Sequence, residues 1–120
     1  MIGFVSPKLW ALLKVRVLGD AIELEIEVII DTGFSAFVTL PRKHIAALGL
    51  QSQGFLEVVL ADGSKVEAET YTAQVELDGD LRDVYVVHAE SHPLIGMALL
   101  ENCSLQIDVR DGGRVLVEAL

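Results

Sequence analysis

At 120 residues and 13.0 kDa, the chain has enough length for one hydrophobic core and is read as a single domain over residues 1–120. A formal net charge of −9 speaks against nucleic acid, because holding phosphates takes a surplus of Lys and Arg. No apolar run approaches the roughly 18 residues of a membrane span, so the 52% hydrophobic content suggests surface buried against a partner instead. Leu9 to Leu13 is a short apolar run between Lys8 and Lys14, too brief for a secretory core or an anchor. Cys103 is the only cysteine, which excludes a disulfide within one chain and fits a reducing, cytoplasmic compartment.

From the N-terminus, Leu9, Ala11, Leu13, Val15 and Val17 alternate with Trp10, Leu12, Lys14 and Arg16. After a Gly19-Asp20 turn, Ile22, Leu24, Ile26, Val28 and Ile30 alternate with Glu23, Glu25 and Glu27. A period of two predicts an antiparallel hairpin with an apolar face on the core and an acidic face in water. The second strand ends in Ile29-Ile30-Asp31-Thr32-Gly33. Two β-branched apolar residues carry the carboxylate of Asp31 toward an interior, where an unpaired charge is expensive. Thr32 adds a hydroxyl without a second charge, and Gly33 permits a sharp turn and close approach by another chain.

Phe37 to Leu40 reads as a short strand, and Pro41 opens a helix through about Leu48, with Gly49 suited to the left-handed cap. Phe55 to Leu60 is extended, and Asp62-Gly63 signals a tight hairpin turn. Beyond it, Val66 and Ala68 share one parity, whereas Tyr71, Ala73, Val75 and Leu77 share the other. That change of phase near Glu69-Thr70 predicts a bulge or a strand that changes the surface it packs on, as in a long hairpin whose tip leaves the core. Asp78-Gly79-Asp80 is the next turn and Leu81 to His88 the next strand. Leu94-Ile95-Gly96 ends a short strand and leads into a second short helix over Met97 to Asn102, followed by strands at Ser104–Val109 and Val115–Leu120.

Ile29 through Ser35, followed some sixty positions later by Leu94-Ile95-Gly96, resembles the retropepsin-like aspartic proteases, in particular their short stand-alone microbial members of clan AA. The resemblance spans nearly the whole chain. It implies a mainly β fold: a closed antiparallel barrel-like domain with two short helices. It implies Asp31 as the catalytic acid, with Thr32 and Gly33 supporting the active loop. Gly33, Ser35 and Ile95 would contact substrate, as would Asp62 and Gly63 at the tip of a flap. Two departures from the viral enzymes stand out. Phe34 replaces a small residue, and Ser35 and Met97 stand where those enzymes place an Asp–Arg ion pair. Because both halves of that pair are missing together, no lone buried charge remains.

The chemistry needs two carboxylates, one taking a proton from water and the other, still protonated, donating to the carbonyl oxygen. Two acids that close share a proton and titrate as a pair, which places the pH optimum at roughly 4 to 6. The chain has one Asp-Thr-Gly, so the reading requires a homodimer with one Asp31 from each copy, no metal and no cofactor. Met1–Val5, the active loop and Val115–Leu120 are the expected interface elements, and the partner in catalysis is an extended peptide held as an added strand. His88 and His92 are four apart without a convincing third ligand and read as surface or strand-end residues. Cys103 reads as a small buried hydrophobe. The competing reading is a non-catalytic peptide-binding or dimerisation module of the same fold. A weaker third is a regulatory protein whose apolar surface meets a different chain.

Overall fold

The computed structural model describes residues 1–120 and is built almost entirely of strands. In chain order these are β1 (Ile2–Val5), β2 (Ala11–Leu18), β3 (Glu23–Ile30), β4 (Val38–Leu40), helix α1 (Arg42–Leu48), β5 (Ser52–Val59), β6 (Lys65–Leu77), β7 (Asp80–His88), β8 (Leu94–Ile95), β9 (Cys103–Ile107) and β10 (Arg114–Ala119). They pair in the order β5-β6-β7-β4-β8-β3-β2-β1-β10-β9, and a further β2–β6 pairing closes the six strands between β6 and β2 into a ring. The ring is not wholly antiparallel as expected: β3 pairs with β8, and β4 with β7, in parallel. Two extensions leave it, β5 alongside β6 on one side and β1-β10-β9 alongside β2 on the other.

The alternation in β2 and β3 places Val15, Val17, Ile26, Val28 and Ile30 in one core cluster with Val75, Leu77, Val84 and Val86 from the far wall. Leu12 departs from its outward parity. It is 5% exposed because β1 covers that end of the hairpin, with Phe4 and Ile29 as its cross-strand partners. The helix forms as the sequence predicts. Gly49 takes the left-handed conformation (φ 67°) and its N–H reaches the Ala46 carbonyl, closing the last turn, while Ile45 and Leu48 pack inward. Pro41 is the N-cap rather than the first helical residue.

The second expected helix does not form. Met97–Asn102 is a run of turns ending in Asn102 at φ 65°. Arg82 supplies the reason: its Nη1 donates to the carbonyls of Leu99 (2.5 Å) and Glu101 (2.8 Å), oxygens turned out to the guanidinium. Leu99 and Leu100 still bury their side chains, so the segment plugs the base of the barrel without being helical.

The terminal strands pair within the chain. β1 pairs with both β2 and β10, and β10 with both β1 and β9. Val5, Val115 and Val117 are essentially inaccessible. Both strands expected at an interface are therefore internal to one chain's sheet.

Candidate active site

The segment 31–37 wraps around the end of β8. Ile95 lies between β3 and β4, pairing with Ile30 on one side and Val38 on the other. From there its carbonyl accepts the Asp31 N–H (2.9 Å), and the next residue, Gly96, donates its N–H to Phe37 O (3.0 Å). Met97 N–H to Phe34 O (2.8 Å) and Ala98 N–H to Ala36 O (3.2 Å) complete the clamp. Gly96 is required by space: a Cβ there would lie 2.4 Å from the carbonyl oxygens of both Ala36 and Phe34. The two sequence motifs are thus parts of one structure, with the Leu94-Ile95-Gly96 strand fixing the loop that carries Asp31.

Within the loop, Asp31 Oδ1 accepts the backbone N–H of Gly33 (2.9 Å), which orients the carboxylate on its own turn. Asp31 is partly exposed, and Thr32 and Gly33 are exposed. Thr39, buried one strand away, accepts the Leu94 N–H on its hydroxyl (3.0 Å) and so ties β4 to β8.

Beside this loop lies a groove of about 550 Å³. Its floor is Gly33–Ala36 with Leu94, its far wall is Val87–Ala89, and its roof is the β5–β6 hairpin from Leu56 to Leu60 with Val66 and Ala68. The roof is apolar and largely unburied: Leu56, Val59, Leu60 and Val66 are all roughly half exposed or more. Such residues at a hairpin tip have no core of their own chain to fill.

The predicted site residues divide. Gly33 and Ser35 line the groove. Ile95 does not, being fully buried beneath the loop, and Leu94 occupies the lining instead. Asp31 and Thr32 stand outside its lining. Asp62 and Gly63 form the tip of the hairpin. The Asp62 carboxylate accepts the Ser64 hydroxyl (2.6 Å) and N–H (2.9 Å), which hold it below the usual carboxylate range, and Gly63 adopts φ 85°. Sequence reasoning passed over Phe34, Leu56, Val58 and His88 as lining residues. The signal for the hairpin pair was apolar residues on a strand that the phase change already placed off the core.

The hairpin's base is anchored to α1. Arg42 Nη1 donates to the buried Tyr71 hydroxyl (2.6 Å) and Nη2 to Glu69 (3.2 Å); Ser52 Oγ donates to Glu69 (2.9 Å), and the Tyr71 hydroxyl donates to Glu69. The Tyr71 hydroxyl, then Ser52 and Arg42, hold the Glu69 carboxyl below its ordinary range. The expected phase change sits here as a bulge in the β5 partner, between Ser52 and Gly54. A second carboxylate, Glu90, accepts the Arg42 N–H (2.7 Å) at the start of α1 and contacts His88 Nε2 (2.6 Å), and both hold it low.

A depressed carboxyl stabilises the fold when ionised, and that contribution disappears as pH falls through its lowered folded value. Glu69→Gln is therefore expected to melt below the wild type at pH 6, with the difference narrowing as the pH is lowered into the acid range. Paired thermal melts across that range check it, and a constant offset would remove Glu69 from the hairpin's acid response.

His92 packs against Trp10 in a tilted arrangement, 5.7 Å between ring centroids, and Lys8 lies 4.9 Å above the same indole. Cys103 is partly buried, with Arg82 Nη2 3.5 Å from its sulfur. A larger cleft of about 620 Å³, edged by Glu25, Glu27, Glu90, His44 and His92, has Ile26 as its one hydrophobic residue and does not include the Asp31 loop.

No family model and no curated protein matches the sequence. Solved structures do match the fold. A retropepsin-like aspartic protease from Rickettsia conorii superposes with a TM-score of 0.64 at 18% identity, over 99% of this chain and 91% of that one. EIAV protease complexed with the inhibitor HBY-793 superposes with a TM-score of 0.62 at 17% identity, over 77% and 86%. The chain has a retropepsin-like fold. Both of these structural neighbours are proteases.

Proposed function

We propose that the protein is an aspartic endopeptidase in which two copies each contribute Asp31 to one site. The observation that carries this reading is the placement of the Asp31-Thr32-Gly33 loop. It is clamped by Ile95 and Gly96, and it opens beside an apolar groove roofed by a hairpin. An extended peptide lies in that groove as an added strand, its backbone bonded to the loop and hairpin and its apolar side chains in the pockets. One Asp31 takes a proton from water as the water attacks the scissile carbonyl carbon. The other, protonated, donates to the carbonyl oxygen; as the tetrahedral gem-diol collapses, the first Asp31 returns its proton to the leaving nitrogen and the second takes one back from a gem-diol hydroxyl, so acid and amine part and the pair keeps its one proton. Thr32 and Gly33 support the loop, Ile95 braces it from beneath, and Ser35, Asp62 and Gly63 are proposed around the substrate.

The test is peptide cleavage as a function of enzyme concentration. Diluted through the dimer's dissociation range, specific activity falls toward zero, because lone chains have one carboxylate. Specific activity that stays constant while sedimentation shows dissociation to monomers overturns the shared site.

A further inference from the structure

His88 is held from behind and left free in front. It ends β7, pairs with Leu40 of β4, and edges the groove but not the neighbouring cleft that Glu90 edges. Its Nε2 lies 2.6 Å from Glu90 Oε2. That same oxygen accepts the Arg42 N–H at 2.7 Å, at the start of α1, so the carboxylate is itself fixed. The Arg42 N–H and His88 hold the Glu90 carboxyl below its ordinary range. An ionised carboxylate only accepts, so the hydrogen between the two side chains sits on Nε2.

Nδ1 then has no partner within the chain. No side-chain nitrogen or oxygen of the protein is both buried and unpaired, so Nδ1 is open to solvent. The side chain as a whole is only 27% exposed, which separates it from a histidine turning freely on the surface. The other polar groups of the lining are arranged differently. Thr39 Oγ1 already accepts the Leu94 N–H (3.0 Å), and Glu57 faces Lys65 at 3.5 Å. Ser35 is exposed, and its hydroxyl rotates. Only His88 offers the groove a polar atom that is both oriented by its own chain and unused.

We propose that His88 is a specificity-determining residue whose Nδ1 hydrogen-bonds a carboxamide side chain, Gln or Asn, of a peptide lying in the groove. A carboxamide carries both an acceptor and donors, so it meets Nδ1 whether that nitrogen bears a hydrogen or a lone pair. An acidic side chain is repelled by Glu90 behind the ring, by Glu57 on the roof and by a chain of net charge −9. A Ser or Thr hydroxyl stands closer to its own backbone and reaches the wall less well. An aliphatic side chain at this point strands Nδ1 without water or partner, among Val87, Ala89 and Leu94. Sites built to bond a polar group reject the analogue that lacks it more firmly than apolar pockets reject a methylene. Glu90 is a positioning residue that acts through His88. The inference rests on the groove being the peptide site and adds one feature of the substrate to the endopeptidase reading.

The test reads binding on Asp31→Asn, so that its outcome does not depend on turnover. Short peptides of Val and Ala carry one Gln or one Met, side chains of similar length, walked along the sequence. At one position the Gln peptide is expected to bind about tenfold tighter than its Met counterpart by fluorescence anisotropy. The His88 Nδ1 resonance moves with the Gln peptide and not with the Met one. Adding His88→Phe brings the ratio to about one. Adding Glu90→Ala lowers it several-fold, whereas Glu90→Gln keeps it, because an amide oxygen still accepts from Nε2 and Arg42. No position with a Gln preference, or a preference that survives His88→Phe, overturns the role of His88 and leaves the endopeptidase to the cleavage assay. A preference that depends on His88, in a protein whose wild type cleaves none of these peptides, supports His88 and overturns the endopeptidase. A protein that binds no peptide of either series overturns both.

Discussion

Asp31→Asn is expected to reduce peptide cleavage by about a hundred- to ten-thousandfold while leaving dimerisation and thermal stability nearly unchanged. The amide cannot accept the proton of the attacking water, nor share one with its counterpart, so both roles of the pair are lost. Its carbonyl oxygen can still accept the Gly33 N–H, the bond that Asp31 Oδ1 makes now at 2.9 Å, and the loop keeps its shape. No core contact is lost, because Asp31 is partly exposed and lies outside the hydrophobic cluster. Cleavage assays and sedimentation on the same preparation separate chemistry from assembly. Retained turnover would move the reaction to another residue.

Gly96→Ala is expected to act through structure instead. A methyl at position 96 would sit 2.4 Å from two backbone oxygens and 2.6 Å from the Phe34 ring, far inside contact distance. Backbone on both sides must retreat, which stretches the clamp bonds from Gly96, Met97 and Ala98 to the loop. Overpacking of this kind costs about 3 kcal/mol, or a fall of about 10 °C in Tm for a chain this size. Displacing the loop by as little as about 1 Å lowers cleavage about a hundredfold in the fraction still folded. Gly33→Ala is the comparison: its new carbon meets only Asp31 Oδ1, at 3.3 Å, a side-chain atom that need shift by only a few tenths of an ångström, so the melting change is expected to be much smaller. Equal melting of Gly96→Ala and wild type would show that the loop does not depend on this clamp.

These two positions also show what a sequence of this kind makes legible. Asp31 and Gly96 were visible because each ends an apolar strand with a residue whose chemistry or size is needed there. The β2–β3 hairpin was legible from strict alternation, and the helix end at Gly49 and the turn at Gly63 from residues that favour positive φ. The hairpin bulge announced itself as a slip in phase, seen on β6 but located in its β5 partner.

The failures share a cause: they depend on residues distant in the chain. Met97–Asn102 contains good helix formers, but Arg82 draws out two of its carbonyls from another strand. The parallel β3–β8 and β4–β7 pairings bring together segments that no local pattern connects. Val115–Val117 reads equally well as interface or core, and only its two neighbours decide for core. Ile95 was read as touching substrate because it adjoins the motif, yet the pleat turns it down and Leu94 up.

The most direct test of a site shared between two chains is to mix them. With total protein fixed, subunits exchanged to equilibrium and equal amounts of wild type and Asp31→Asn, only dimers with two intact carboxylates turn over. Activity then falls to about a quarter of the all-wild-type value and follows the square of the wild-type fraction. A linear fall, to about half at equal mixing, would mean that each chain works alone and would contradict the account.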